Sequence, residues 1–144
     1  MPAPYTGRCN CGGVTLTIDA EPVTTRQCWC RQCQKIASGG PTHNAIFAVD
    51  AVTVTGERSQ SSYKAASGNI LTHEFCPTCG AHVLAHSSAR PHLRTMRLGM
   101  FDEGHGLKTA AAIWLDEAPD GAFIDPSMEH WPQQPPPPGQ AIGG

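Results

Sequence analysis

Hydrophobic and polar residues alternate along most of this chain with the two-residue period of strands. Val14, Leu16 and Ile18 interleave with Thr15, Thr17 and Asp19, which predicts a half-buried strand. Segment 23–27 offers that strand a partner. Ile46, Phe47 and Val49 predict a further strand, and Val52 and Val54 another that ends at Gly56. Segments 63–66 and 70–75 flank Ser67-Gly68-Asn69, residue types that favour a hairpin turn. Ala81, Val83 and Ala85 alternate again, and 93–98 and 109–115 complete the set. Ala110-Ala111-Ala112 leaves the last segment open to a helical reading. One or two helical turns are expected over 30–37, ended by Gly39-Gly40-Pro41. The pattern predicts a mainly β fold without internal repeats.

Composition narrows this picture. A chain of 144 residues suits one domain. Aromatic residues are 6 % of the chain, and 15 glycines and 13 prolines point to many loops around a modest core. Such a core gains from metal staples. The predicted domain covers residues 5–130. From Trp131 the sequence turns to Pro132-Gln133-Gln134-Pro135-Pro136-Pro137-Pro138-Gly139, so 131–144 is expected to be an extended, disordered proline-rich tail. The formal net charge is -2 with no block of like charge, which gives nucleic-acid binding no electrostatic support. The N-terminal residues lack a basic and then apolar leader, and no apolar run approaches the ~20 residues of a membrane span. The cytoplasm is the expected compartment, where thiols stay reduced.

The candidate chemistry is carried by sulfur. Seven cysteines fall in three clusters: Cys9 and Cys11, then Cys28, Cys30 and Cys33, then Cys76 and Cys79. Spacings this short let one turn aim two sulfurs at one ion. A disulfide framework is disfavoured by the odd count and by the strain of bridging C-x-C. Two partitions arise. Either Cys9, Cys11, Cys76 and Cys79 close one site and Cys28, Cys30 and Cys33 form another, or Cys9, Cys11, Cys28 and Cys30 share an ion and Cys33 joins the late pair. The first is favoured on local grounds, because three thiolates in one loop reach an ion unaided. A closed four-thiolate zinc site supplies about 10–16 kcal/mol of apparent free energy to a fold. In Cys76-Pro77-Thr78-Cys79-Gly80, Pro77 preforms the turn and Gly80 accepts backbone angles closed to other residues. A three-thiolate site leaves one position for water or substrate unless a histidine fills it, and His43, His73 and His82 lie nearest the clusters in sequence.

The stretches Gly7-Arg8-Cys9-Asn10-Cys11-Gly12-Gly13-Val14, Cys28-Trp29-Cys30-Arg31-Gln32-Cys33 and Phe75-Cys76-Pro77-Thr78-Cys79-Gly80 together resemble the glutathione-dependent formaldehyde-activating (GFA) family, also called the centromere-protein-V (CENP-V) domain family. The resemblance spans about residues 5–115. It implies a small zinc-stapled β-sheet domain, mss-four-like or β-tent, related to methionine sulfoxide reductase B. It implies two zinc sites, with Cys9, Cys11, Cys76 and Cys79 structural and Cys28, Cys30 and Cys33 catalytic. The implied activity is a carbon–sulfur lyase reaction that condenses formaldehyde with glutathione. The chain departs from the family's common pattern at Trp29, where many relatives carry histidine, and at Gln34 and Lys35, where many carry paired arginines.

On this reading a small thiol binds at the three-cysteine zinc and its sulfur attacks an aldehyde carbon. Arg31, His43 and Lys35 are candidate proton sources or oxyanion donors. Arg26, Arg31 and Lys35 are candidate partners for the carboxylates of glutathione, and Trp29 is either an apolar wall for the ligand or core. The alternative is a non-catalytic zinc-stapled binding module of the CENP-V type. A sulfoxide-reductase reading lacks a spare cysteine once all seven sulfurs hold metal.

Overall fold

A computed structural model describes residues 3–136 of the chain. Its elements in order are β1 (Tyr5–Arg8), β2 (Thr15–Ile18), β3 (Thr24–Cys28), α1 (Arg31–Ile36), β4 (Thr42–Ala48), β5 (Val52–Thr55), β6 (Ser59–Lys64), β7 (Ile70–Phe75), β8 (His82–Ser87), β9 (Leu93–Arg97), β10 (Ala111–Ile113) and β11 (Glu129–His130). Single 3-10 turns cover Val49–Ala51, Leu98–Met100 and Leu115–Glu117. The alternating segments are therefore strands, and the expected mainly β fold is what the chain forms. Among the described residues, no helix is long and apolar enough to cross a membrane.

The strands form two sheets. The smaller has the order β1-β2-β5, and the larger the order β11-β10-β3-β4-β9-β8-β7-β6. Segment 23–27 does not pair with β2 as expected. It contributes to β3, which runs antiparallel to β4 and parallel to β10, while β2 lies between β1 and β5. Burial explains the difference. β2 turns Thr15 and Thr17 to solvent, as in a sheet covered on one face. β3 buries Thr25, Arg26 and Cys28, so both of its faces are covered. The alanine run resolves as β10 because β3 and β11 bind it on either side. The hairpin β6–β7 turns at 65–69, where Ala65 N–H donates to Asn69 O at 2.8 Å.

The main core lies where the small sheet meets one face of the large one. Val14, Leu16 and Ile18 pack there with Ala45, Phe47, Val83 and Met96, and the rings of Tyr5, Phe47 and Phe101 cluster at 5.9–6.1 Å. Each fully buried large side chain contributes about 1.5–3 kcal/mol. Strand parity then sends the intervening residues to the opposite face. Arg26 faces Asn44 across the β3–β4 ladder, Cys28 faces Thr42, and Asn44 faces Arg97 across β4–β9. All five are buried, so this second face carries polar groups in its interior.

Part of the proline-rich tail expected at 131–144 falls on 137–144, outside the described residues. The described part, 131–136, lies against the edge of the large sheet. Trp131 N–H donates to Ala112 O at 2.9 Å, and the amides of Leu115 and Asp116 donate to Trp131 O and Pro132 O at 3.1 and 3.0 Å. Pro135 is buried, and Arg26 Nη2 donates to Pro136 O at 3.4 Å. Trp114 sits at φ 59, a left-handed conformation that costs a bulky residue on the order of 1–3 kcal/mol. Its indole donates to Gln134 Oε1 at 3.0 Å, so the same segment that crosses the edge holds this residue in place.

Candidate metal centre and active site

Two tight turns build the first sulfur cluster. In the first, Gly12 N–H donates to Cys9 O at 3.1 Å, and the amides of Gly13 and Val14 point at the sulfurs of Cys11 and Cys9 at 3.4 and 3.3 Å. In the second, Gly80 N–H donates to Cys76 O at 2.9 Å and Cys79 N–H to Cys76 Sγ at 3.5 Å. Gly12 and Gly80 hold φ of 79 and 77, angles open to glycine at little cost. The turns face each other, and the sulfurs of Cys9, Cys11, Cys76 and Cys79 all lie within 4.8 Å of one another. Cys9–Cys11 and Cys11–Cys76 sulfur separations are 3.6 and 3.7 Å. Four thiolates around one tetrahedral ion, with bonds of about 2.3 Å, have sulfurs about 3.8 Å apart. The donor set and its spacing fit a closed metal site. Burial opposes ionisation of Cys9, but the Val14 amide and the neighbouring thiols outweigh it and bring this thiol down to about 6.

The second cluster begins where β3 ends. Cys28 is the last residue of the strand, Cys30 caps α1, and Cys33 lies on its first turn. Cys30 Sγ accepts from Cys33 N–H at 3.4 Å, which replaces the usual capping oxygen. The three sulfurs also lie within 4.8 Å of one another, and among the described residues no histidine nitrogen or carboxylate joins them. All seven cysteines are free thiols. The sulfurs therefore group four and three, and the alternative partition, with Cys33 beside Cys76 and Cys79, does not occur. Donation from the thiols of Cys28 and Cys30, then from Thr42, with the charge of Arg97 added, holds Cys33 far down against its burial, at about 2. Cys28 donates to both other sulfurs and is pushed up. Three sulfurs gathered this way are arranged to share negative charge with a cation.

The remaining sequence candidates scatter. Arg26 is 8 % exposed, two residues before Cys28 on the same face of β3. Arg31 and Lys35 are exposed at the two ends of α1, and Arg31 Nη1 donates to Gln34 Oε1. Trp29 is 5 % exposed, with its indole donating to Gln27 Oε1 at 2.8 Å. His43 pairs with Gln27 across the β3–β4 ladder, so strand parity puts it on the face away from Cys28. A broad open hollow of about 940 Å³ beside Gln27 and His43 is likewise on that face. His73 Nδ1 accepts from Arg97 Nη2 at 3.1 Å, and His82 packs edge-on to His73, with ring centroids 6.2 Å apart.

Sequence reasoning missed a buried polar set beside the three cysteines. Thr42 Oγ1 donates to Cys33 Sγ at 3.1 Å, Asn44 Nδ2 donates to Thr42 Oγ1 at 2.9 Å, and Arg97 Nη1 donates to Asn44 Oδ1 at 2.7 Å. Tyr63 stacks on His73 at 5.8 Å. Burial, and next the Arg97 charge, lower His73 to about 4, so it is neutral at pH 7. The available signal was parity: Thr42 and Asn44 share one face of β4 with buried Ile46, while buried Ala45 and Phe47 take the other, so both faces of the strand are covered. Gln34 was also missed as an anchor. Its amide donates to Trp29 O and Glu117 O at 2.6 and 2.8 Å.

A small two-sheet protein with one closed four-cysteine cluster and one three-cysteine cluster next to a buried arginine has the makings of a thiol-rich metalloprotein. The chain belongs to the glutathione-dependent formaldehyde-activating enzyme family, GFA, whose family model matches residues 4–117. In fold it is similar to the crystal structure of a Rhodobacter sphaeroides protein determined by structural genomics. The TM-score is 0.54 at 18 % sequence identity, over 88 % of this chain and 98 % of that one. No curated protein matches it.

Proposed function

We propose that this chain is a cytoplasmic, zinc-dependent carbon–sulfur lyase that joins a small thiol, glutathione by family, to formaldehyde or another small aldehyde. The observation that carries the reading is the contrast between the two clusters. Cys9, Cys11, Cys76 and Cys79 offer a complete tetrahedral donor set, whereas Cys28, Cys30 and Cys33 offer three donors, joined by no histidine, carboxylate or further cysteine among the described residues. Zinc bound by the three cysteines would supply one open position at which an incoming thiol is held as thiolate.

The chain's own groups account for the rest. Thr42 and the first turn of α1 fix the sulfurs of Cys33 and Cys30. Arg31 and Lys35, exposed on α1, are the cations available to the carboxylates of glutathione. In the reaction the thiolate sulfur forms a bond to the carbonyl carbon, the carbonyl π pair moves to oxygen, and oxygen takes one proton. The thiol has released one proton, so the sum is thiol plus aldehyde to hemithioacetal with no redox change. Arg31, the residue after Cys30 and exposed to solvent, is the favoured donor to the developing oxyanion.

Metal analysis together with NMR of formaldehyde and glutathione tests this. The expected result is two zinc equivalents per chain and product formation above the uncatalysed background, lost in Cys30→Ser. A rate equal to the background, or one unchanged by Cys30→Ser, would overturn the reading.

A further inference from the structure

Arg97 is 7 % exposed, yet no carboxylate among the described residues lies within ion-pair distance of it. A guanidinium buried without an anion is costly, so a buried arginine normally has a counter-charge. Its two contacts do not supply one. Asn44 is neutral, and His73 can only add positive charge. Among the described residues its Nε has no hydrogen-bond partner. The nearest source of negative charge along its hydrogen bonds is sulfur.

The bonds run in one direction. Arg97 donates to Asn44, Asn44 donates to Thr42, and Thr42 donates to Cys33. Each link is polarised by the one before it, with a cation at the start and a thiolate at the end. The four-cysteine cluster has nothing comparable: among the described residues its sulfurs accept only from backbone amides and from one another. Charge distinguishes the clusters as well. Three thiolates and a divalent ion sum to about −1, and an incoming thiolate takes this to about −2. A fixed buried cation offsets one of those charges.

We propose that Arg97 is the counter-cation and positioning residue of the three-cysteine site, acting on Cys33 through Asn44 and Thr42, and that it lets this site accept a further anionic ligand. The proposal rests on the three-cysteine reading above. Outer partners of metal ligands typically change metal affinity 10–100-fold when removed.

The test is competition for zinc between the protein and a chromophoric chelator, resolving the two equivalents. Wild type is compared with Arg97→Met, Arg97→Lys and Thr42→Val. Thr42→Val keeps the side-chain shape and removes only the hydroxyl, so it reports the relay even if Arg97→Met folds poorly. The expected result is a 10–100-fold weaker second equivalent in Arg97→Met and Thr42→Val, an unchanged first equivalent, and partial recovery in Arg97→Lys. A second equivalent unchanged in both Arg97→Met and Thr42→Val, or equal weakening of both equivalents in Thr42→Val, overturns the proposal and leaves the three-cysteine reading standing. A wild-type protein that binds a single equivalent overturns that reading and the proposal with it.

Discussion

Cys76 and Cys30 belong to clusters of different completeness, so replacing each is expected to separate folding from the proposed chemistry. Cys76 is 2 % exposed and joins the turn after β7 to the turn after β1. Cys76→Ser opens the four-sulfur set and is expected to lower the unfolding temperature sharply, because metal binding in such a site is folding free energy. Cys30 is half-buried, and its main local role is to accept the Cys33 amide at the start of α1. Serine is a good acceptor at that position, so Cys30→Ser is expected to fold and to bind one fewer metal ion. Thermal unfolding with metal analysis checks both, and equal melting losses would count against a division of labour. The cysteines were legible in the sequence because their spacing is local. Thr42, Asn44 and Arg97 were not, because each is an ordinary polar residue until the β3–β4–β9 register brings it to Cys33. His43 shows the converse. It lies close to the cluster in sequence, but one step of strand parity turns it to the other face.

Among the elements, α1 depends most on its neighbours. Six residues cannot hold a helix in water by propensity alone. Gln34, 3 % exposed, ties α1 to Trp29 O and Glu117 O, and Glu117 Oε1 accepts from Arg31 N–H at 2.7 Å. Gln34→Ala leaves two carbonyls without this donor. It is expected to cost about 1–3 kcal/mol in denaturant unfolding and to speed metal loss from the three-cysteine site alone. Unchanged stability would show that water replaces the amide. The strands that alternation revealed are those with an apolar face, such as β2 and β5. It missed β1, where an inward position is Gly7. A Cβ there would lie 2.0 Å from Met100 O, so close backbone approach removed the apolar signal. It missed β11 and the first half of β6 because both are polar.

Over the whole molecule, the three-cysteine site depends on residues far apart in sequence. Trp131 packs against the small apolar cluster that Cys28, Cys33, Ala111 and Ile113 form, although about a hundred residues separate it from the cysteines. Ending the chain after His130 removes this cover and the acceptors of the Trp114, Leu115 and Asp116 amides. In metal-free protein, that truncation is expected to speed maleimide labelling of Cys28, Cys30 and Cys33, while Cys9, Cys11, Cys76 and Cys79 label as before. A chain ending after Pro136 keeps this segment and serves as the comparison. Site-resolved mass spectrometry reads the outcome, and identical labelling of both truncations would show that 131–136 covers nothing.

Chain order then sets a timetable for biosynthesis. All four sulfurs of the closed cluster have been made once Cys79 is added, and 52 residues separate Cys79 from Trp131. At translation rates of about 5–20 residues per second, that gap lasts about 3–10 s. For that interval the nascent polypeptide has its anchor available while its reactive thiols stay open to whichever oxidant or competing cation arrives first.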